Sequence, residues 1–411
     1  MFNNYRIPRE NLLNKNADVD EDGQYVTAIK DPNKLHAASL GGLSTGRINI
    51  THMGYIYLTK AITIAIRYAC VRQQFGPEGQ EELPIIEYQL HQHRLLPYLA
   101  AVYHIKFLAE KLTRANTEIP GDRMRGVAVD PNVGHEMHAL SSASKPIAGW
   151  TARDGIQECR EACGGHGYLK AAGLSNLRNE NDAICTYEGE NHVLIQQTSN
   201  WLLKFWPLIL KRHAISSPLH SIDFLSSGLD TLNMKFSSRS VNELILPDSI
   251  ISIYQWLVCY LLKITFNKYE ANITKGIDSF TAKNENQVFY ARSLGIAYIQ
   301  HYALRLMYDK IQEATDLSIK KVLTRLLSLY GLYSIDKYHI AVLYQGGYAN
   351  GEQPVNLIQD AILQLCKEIK GASDGQVYHH LQSSFYQSPH CLARPTWWKD
   401  MVDRSYVKGK L

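Results

Sequence analysis

The sequence lacks any strong imbalance of charge. Its 411 residues carry 43 Lys and Arg against 39 Asp and Glu, a formal net charge of +4 with no basic block. That balance argues against nucleic acid as the main partner, and leaves a mildly basic cleft for a phosphorylated ligand as the most that charge allows. Cysteine is scarce: seven residues, an odd number without small-scaffold spacing, imply free thiols in a reducing compartment and not a disulfide framework. The opening MFNNYRIPRENLLN has charged residues where a secretory leader needs an apolar core, so export is not expected. No membrane span is expected either. The best candidate, 250–262, is interrupted by Gln255 and is about half the length a bilayer requires, so it reads as a buried bundle helix. Cys159 and Cys163 lie on one helical face without a suitable second pair, so no metal is expected. No Gly-x-Gly-x-x-Gly follows a strand, which excludes a dinucleotide fingerprint.

What is present is helical periodicity. A hydrophobic content of 45% supports a large core, and long amphipathic or wholly apolar segments dominate. Residues 1–36 read as strands and loops. Helices are predicted over 37–74, 85–116, 135–163 and 190–205, with the β-branched Ile48–Ile50 run weakening the first locally and Pro97 and Pro146 disturbing the second and third. Residues 119–134, with two Pro and three Gly, read as a loop. The Ser-rich segment 213–247 reads as a linker. A second helical set follows at about 248–269, 284–313, 317–343 and 353–369, and 371–411 reads as a packed irregular tail. The expected fold is all-α: two consecutive four-helix bundles, 37–212 and 248–370, with a short β and loop segment in front.

Three constellations stand at predicted helix ends: Arg72-Gln73-Gln74-Phe75-Gly76, Cys163-Gly164-Gly165-His166-Gly167-Tyr168 and Thr186-Tyr187-Glu188-Gly189-Glu190-Asn191. The glycines of the second serve either as a helix stop or as bare backbone that a phosphate can approach. His166 by itself reads as a hydrogen-bonding residue of the fold. Arg72 is either a last-turn arginine favoured by the helix dipole or a ligand contact. Glu188 is either a dipole-compensating first-turn acid or a base, with the Tyr187 ring to desolvate it and Gly189 leaving space beside it for a ligand.

Taken together and in this order, the three motifs resemble the acyl-CoA oxidase and dehydrogenase superfamily along essentially the whole chain. Ala162–Tyr168, Cys185–Asn191 and the second helical set are similar to the oxidase branch. Gln157–Cys163, Gln196–Asn200 and Gln345–Tyr348 look most like the peroxisomal branched-chain, pristanoyl-type oxidases. The resemblance implies FAD-dependent α,β-desaturation of an acyl-CoA to the trans-2-enoyl-CoA, with dioxygen reduced to hydrogen peroxide. It makes Glu188 the base and Arg47 an active-site arginine, with Gly46 where some dehydrogenases carry their base. It places Arg72, Phe75 and Gln89 against FAD, the first two against that of a neighbouring subunit in a homodimer, and Gly164 and Gly165 beside the pyrophosphate. Glu161 stands where dehydrogenases usually have glutamine facing the cofactor. The resemblance also implies an amino-terminal helical domain and most of a β-domain ahead of residue 1. With that part missing, a catalytically silent binding or dimerisation partner is the alternative. A peroxisomal location is implied, and the terminal Gly409-Lys410-Leu411 resembles the Ser-Lys-Leu address read by an import receptor.

Overall fold

The computed structural model describes residues 1–32, 35, 42–125, 127, 128, 130 and 132–372. The predicted start of the first helix at 37–41, most of the 371–411 tail and the Gly409-Lys410-Leu411 ending lie outside the described residues. At the front, a two-stranded antiparallel pair, β1 (Asp18–Val19) and β2 (Tyr25–Val26), sets Asp18 against Val26. The rest is helical: α1 (Gly42–Val71), α2 (Gln89–Met124), α3 (Val133–Ala162), α4 (Leu174–Ile184), α5 (Asn191–Leu202), α6 (Pro247–Thr274), α7 (Arg292–Glu313), α8 (Leu317–Ser334) and α9 (Gln353–Ala372), with shorter turns between.

Helix α1 keeps its course through the β-branched Ile48–Ile50 run because Ile48 and Ile50 are buried, and burial outweighs a propensity deficit of a few tenths of a kcal/mol. It lies chiefly along α3 and α2, while α3 also carries α4 and α5. Neither Pro97 nor Pro146 ends its helix. The expected loop at 119–134 is shorter than its Pro and Gly content suggests, for α2 runs on through Pro120 to Met124. One lost backbone donor does not stop a helix whose other turns are packed. The short α4 was not anticipated. It begins after Gly173 in the left-handed conformation and buries Leu174, Asn181 and Ile184 against α3.

The second helical set does not stand apart. Helices α7, α8 and α9 all pack on α2, and α7 also touches α3 and α5, so one continuous core joins both sets. His104 of α2 stacks on Tyr330 of α8 at 3.7 Å between ring centres. Two of the expected helices are interrupted by single π-turns, Gln287–Ala291 ahead of α7 and Ile335–His339 after α8. Helix α6 is longer than its apolar centre suggested, and it has the length and apolar content of a membrane-crossing helix. Its Tyr254, Trp256, Leu257 and Leu261 are nevertheless buried in this core.

The Ser-rich segment after α5 is tied down by one buried carboxylate. Glu136 of α3 accepts from Ser217 Oγ at 2.6 Å, the Leu219 amide at 2.8 Å and the Ser221 amide at 3.2 Å, while Tyr298 of α7 donates to Ser221 Oγ. A buried acid with four donors around it, Ser221 Oγ included, is held as firmly as a backbone ladder would hold the segment.

Candidate functional site

The expected site residues fall into two groups at opposite ends of α1. Glu188 lies in the turn between α4 and α5 with φ +58°, a left-handed conformation that non-glycine residues adopt at a cost. The turn folds its carboxylate back onto the first turns of α1. A methyl group built on Gly46 would stand 2.7 Å from the Glu188 carboxylate, so the acid occupies space that only a glycine leaves. Its Oε2 is buried and accepts no hydrogen bond from the described residues. Capping of α5 belongs to the next acid, because Glu190 accepts from the amides of His192 (2.8 Å) and Val193 (3.1 Å). The dipole-compensating role open to Glu188 is therefore filled by Glu190.

Two buried cations brace the turn. Arg47, one residue after Gly46, donates through Nε to the Glu188 carbonyl at 3.1 Å and through its terminal nitrogen to Ser142 Oγ at 3.3 Å, with His138 Nδ1 beside it at 3.5 Å. Burial lowers the Arg47 pKa, and the Glu188 charge opposes that shift. Lys145 of α3, fully buried, donates to the Gly189 carbonyl at 2.7 Å and to Asn191 Oδ1 at 2.8 Å. Burial brings its pKa down to about 8, against the raising influence of Cys185, Glu190 and Glu188. Gly189 differs from its expected part. Its φ is +111° and a side chain there would strike Leu194 at 2.8 Å, so the glycine meets a backbone and packing demand and does not open space beside the acid. Tyr187 is exposed, and its hydroxyl reaches Met53 Sδ at 3.8 Å.

At the other end of α1, 26 residues further along the chain and about 40 Å away at helical rise, is an open cleft of about 750 Å³. Tyr68, Arg72, Phe75, Glu161, Gly164 and Gly165 are among its lining residues. Arg72 and Phe75 belong to a loop that doubles back on itself, with Leu83 donating to the Phe75 carbonyl at 2.7 Å and Ile85 to the Arg72 carbonyl at 2.8 Å. Phe75 is largely exposed at φ +60°. Gln89 is exposed at the start of α2, between the lining residues Tyr88 and Leu90. Opposite, Gly164 at φ +56° ends α3, and side chains built on Gly164 or Gly165 would meet nothing within 4 Å. Gly167 is different, since a methyl group there would fall 1.9 Å from the Arg160 carbonyl oxygen. His166 has the fold-bearing place expected of it, with Nδ1 3.1 Å from the Tyr68 hydroxyl. The cleft thus pairs an exposed guanidinium, bonded to Gln74 Oε1 at 2.8 Å, with bare backbone, a combination suited to phosphate groups. Among the described residues, no cluster of His, Cys, Asp and Glu could hold a metal ion.

Two family models match the chain: the acyl-CoA oxidase C-alpha1 domain over residues 40–203 and acyl-CoA oxidase over residues 246–370. The chain belongs to the acyl-CoA oxidase family. It is 39% identical to the Homo sapiens peroxisomal acyl-coenzyme A oxidase 3 and 36% identical to the Caenorhabditis elegans acyl-coenzyme A oxidase acox-3. These matches cover 100% and 98% of this chain and 62% of each relative, so the chain spans less than two thirds of their length. Among solved structures, acyl-CoA oxidase 1 of Yarrowia lipolytica superposes with a TM-score of 0.84 at 25% identity, covering all of this chain and 60% of that one. Acyl-CoA oxidase-2 of Caenorhabditis elegans, solved with FAD, ascaroside-CoA and ATP, superposes at 0.80 with 23% identity over 99% of this chain and 58% of that one.

Within this acyl-CoA oxidase family chain, sequence reading passed over Lys145, Ser142, His138 and Asn191 as site residues. Lys145 left one signal, a lone charge within a helix stretch of small and apolar residues, Ala139 to Ala148. A charge in such a stretch needs a buried partner.

Proposed function

We propose that the chain forms part of a peroxisomal, FAD-dependent acyl-CoA oxidase in which Glu188 removes the α-proton of the acyl thioester. The observation that carries this reading is the Glu188 carboxylate itself: a left-handed backbone places it over Gly46, with a buried Oε2 that has no hydrogen-bond partner among the described residues. A base for a weak carbon acid must be aimed and poorly solvated, and the place of the carboxylate over Gly46 with Oε2 buried supports that reading. When bound, FAD would supply the acceptor for the β-hydrogen and its electron pair and the two-electron route to dioxygen that an oxidase giving enoyl-CoA and hydrogen peroxide needs. Arg47 orients the Glu188 turn and adds positive charge beside the position where thioester enolate charge develops. At the far cleft, Arg72 and the Gly164 and Gly165 backbone would hold phosphate groups, with Phe75 and Gln89 alongside.

The two groups lie farther apart along α1 than one dinucleotide extends, which supports a homodimer in which the cofactor is shared between the base of one copy and the cleft of another. The relatives named peroxisomal support that location, and Gly409-Lys410-Leu411 is the proposed import-receptor contact. A reporter carrying this ending should enter peroxisomes in part, and Gly409→Ser should increase its import. The catalytic reading is tested by stopped-flow bleaching of the flavin in the FAD-loaded protein. Glu188→Gln should retain acyl-CoA binding and lose reduction, whereas undiminished reduction would remove Glu188 as the base.

A further inference from the structure

We propose that Lys145 is the positioning residue that keeps the Glu188–Gly189 turn left-handed and so holds the carboxylate over Gly46. The inference rests on Glu188 being the base. Two successive residues with positive φ turn their carbonyls away from any helical donor, and each carbonyl here is met by a buried cation: Glu188 by Arg47 Nε at 3.1 Å, Gly189 by Lys145 Nζ at 2.7 Å. The second bond of Lys145, to Asn191 Oδ1 at 2.8 Å, fixes the residue that opens α5, whose amide in turn donates to the Cys185 carbonyl at 3.1 Å. Lys145 therefore joins the far side of the turn to the body of α3. Burying an ammonium group is costly, and both of its bonds end on residues 189 and 191. The groups that face it are Arg47 from α1, Glu188 and Glu190 from the turn and Cys185 from the end of α4, and burial leaves its pKa at about 8. Loss of that proton weakens both bonds, since a neutral amine is the poorer donor.

The test compares Lys145→Met, Lys145→Arg and Glu188→Gln in the FAD-loaded protein, together with amide hydrogen exchange over residues 185–191 in the unloaded chain. Lys145→Met should slow flavin reduction about tenfold or more while the KM for acyl-CoA moves less than about twofold. It should raise exchange in 185–191 and leave that of α6 unchanged, and Lys145→Arg should restore part of both. In the unsubstituted chain, the intrinsic-rate-corrected protection of 185–191 should fall as pH rises through about 8, ahead of the rest of α3. A folded Lys145→Met with normal exchange and a normal reduction rate would overturn the proposal while Glu188→Gln remains slow. Normal reduction in Glu188→Gln would sink the base assignment instead, with the exchange data still deciding what Lys145 holds. Should Lys145→Met not fold, protection that persists to about pH 10 in the unsubstituted chain overturns the proposal.

Discussion

The two ends of α1 are built on opposite plans. At the Gly46 end, a strained acid, two buried cations and an amide are bonded to one another, and among the described residues Glu188 Oε2 and Asn191 Nδ2 are left without a partner. At the Arg72 end, guanidinium, aromatic ring and glycine backbone face an open cleft with little contact among themselves. The first arrangement is organised before a ligand arrives, and the second is a surface awaiting one. Preorganisation belongs where charge develops in a transition state, whereas a phosphate contact can be completed on binding.

The strongest challenge to this contrast is at the base. Glu188→Gln preserves shape and should slow flavin reduction by about 10²-fold or more with acyl-CoA affinity nearly unchanged, read by rapid-mixing absorbance. A slower rate caused by weaker binding would instead make Glu188 part of the docking surface, like the residues of the cleft.

Next comes the core that joins the two ends. Burial pushes His104, His301 and His339 down to about 3, so they stay neutral in the fold, while the unfolded chain protonates them below about 6.5. The unfolded state then binds more protons, so stability is greatest above about pH 6.5 and falls as pH drops toward 3. The loss should be about 1–2 kcal/mol per histidine between pH 6.5 and 5. Urea midpoints at the two pH values check this, and His301→Phe should flatten the slope, since neither ring nitrogen of His301 has a partner among the described residues. A pH-independent midpoint would mean that these rings titrate in the fold as they do in the unfolded chain.

One substitution made at both ends sharpens the comparison further. Gly46→Ala puts a methyl group against the Glu188 carboxylate, so flavin reduction should fall about tenfold. The melting point should stay level or rise, because alanine favours the helix by about 1 kcal/mol. Gly165→Ala meets open space and should leave stability within about 0.5 kcal/mol and reduction unchanged at saturating FAD. Its effect should be confined to a few-fold weaker FAD binding, measured by flavin fluorescence titration, because the methyl group stands between backbone and phosphate. Equal outcomes at the two ends would remove the distinction between a preorganised and an awaiting site.

Amino-acid sequence by itself determined the helical architecture and the three motif positions. Period and glycine placement are local properties, so α1, α3, α5 and the stop at Gly164 to Gly167 could be read to within a few residues. The loop predicted at 119–134 and the missed α4 show the limit of local reading: composition marked Pro120 and Gly121, but α2 runs through them. Tertiary structure alone decided that the two helical sets share α2. It also decided that Gly46, Arg47 and Lys145, between 43 and 142 residues from Glu188 in sequence, converge on its turn. The physical reason is range. A helix is specified by contacts three or four residues apart, whereas a buried charge finds its partner only when the chain has packed and removed water from between them.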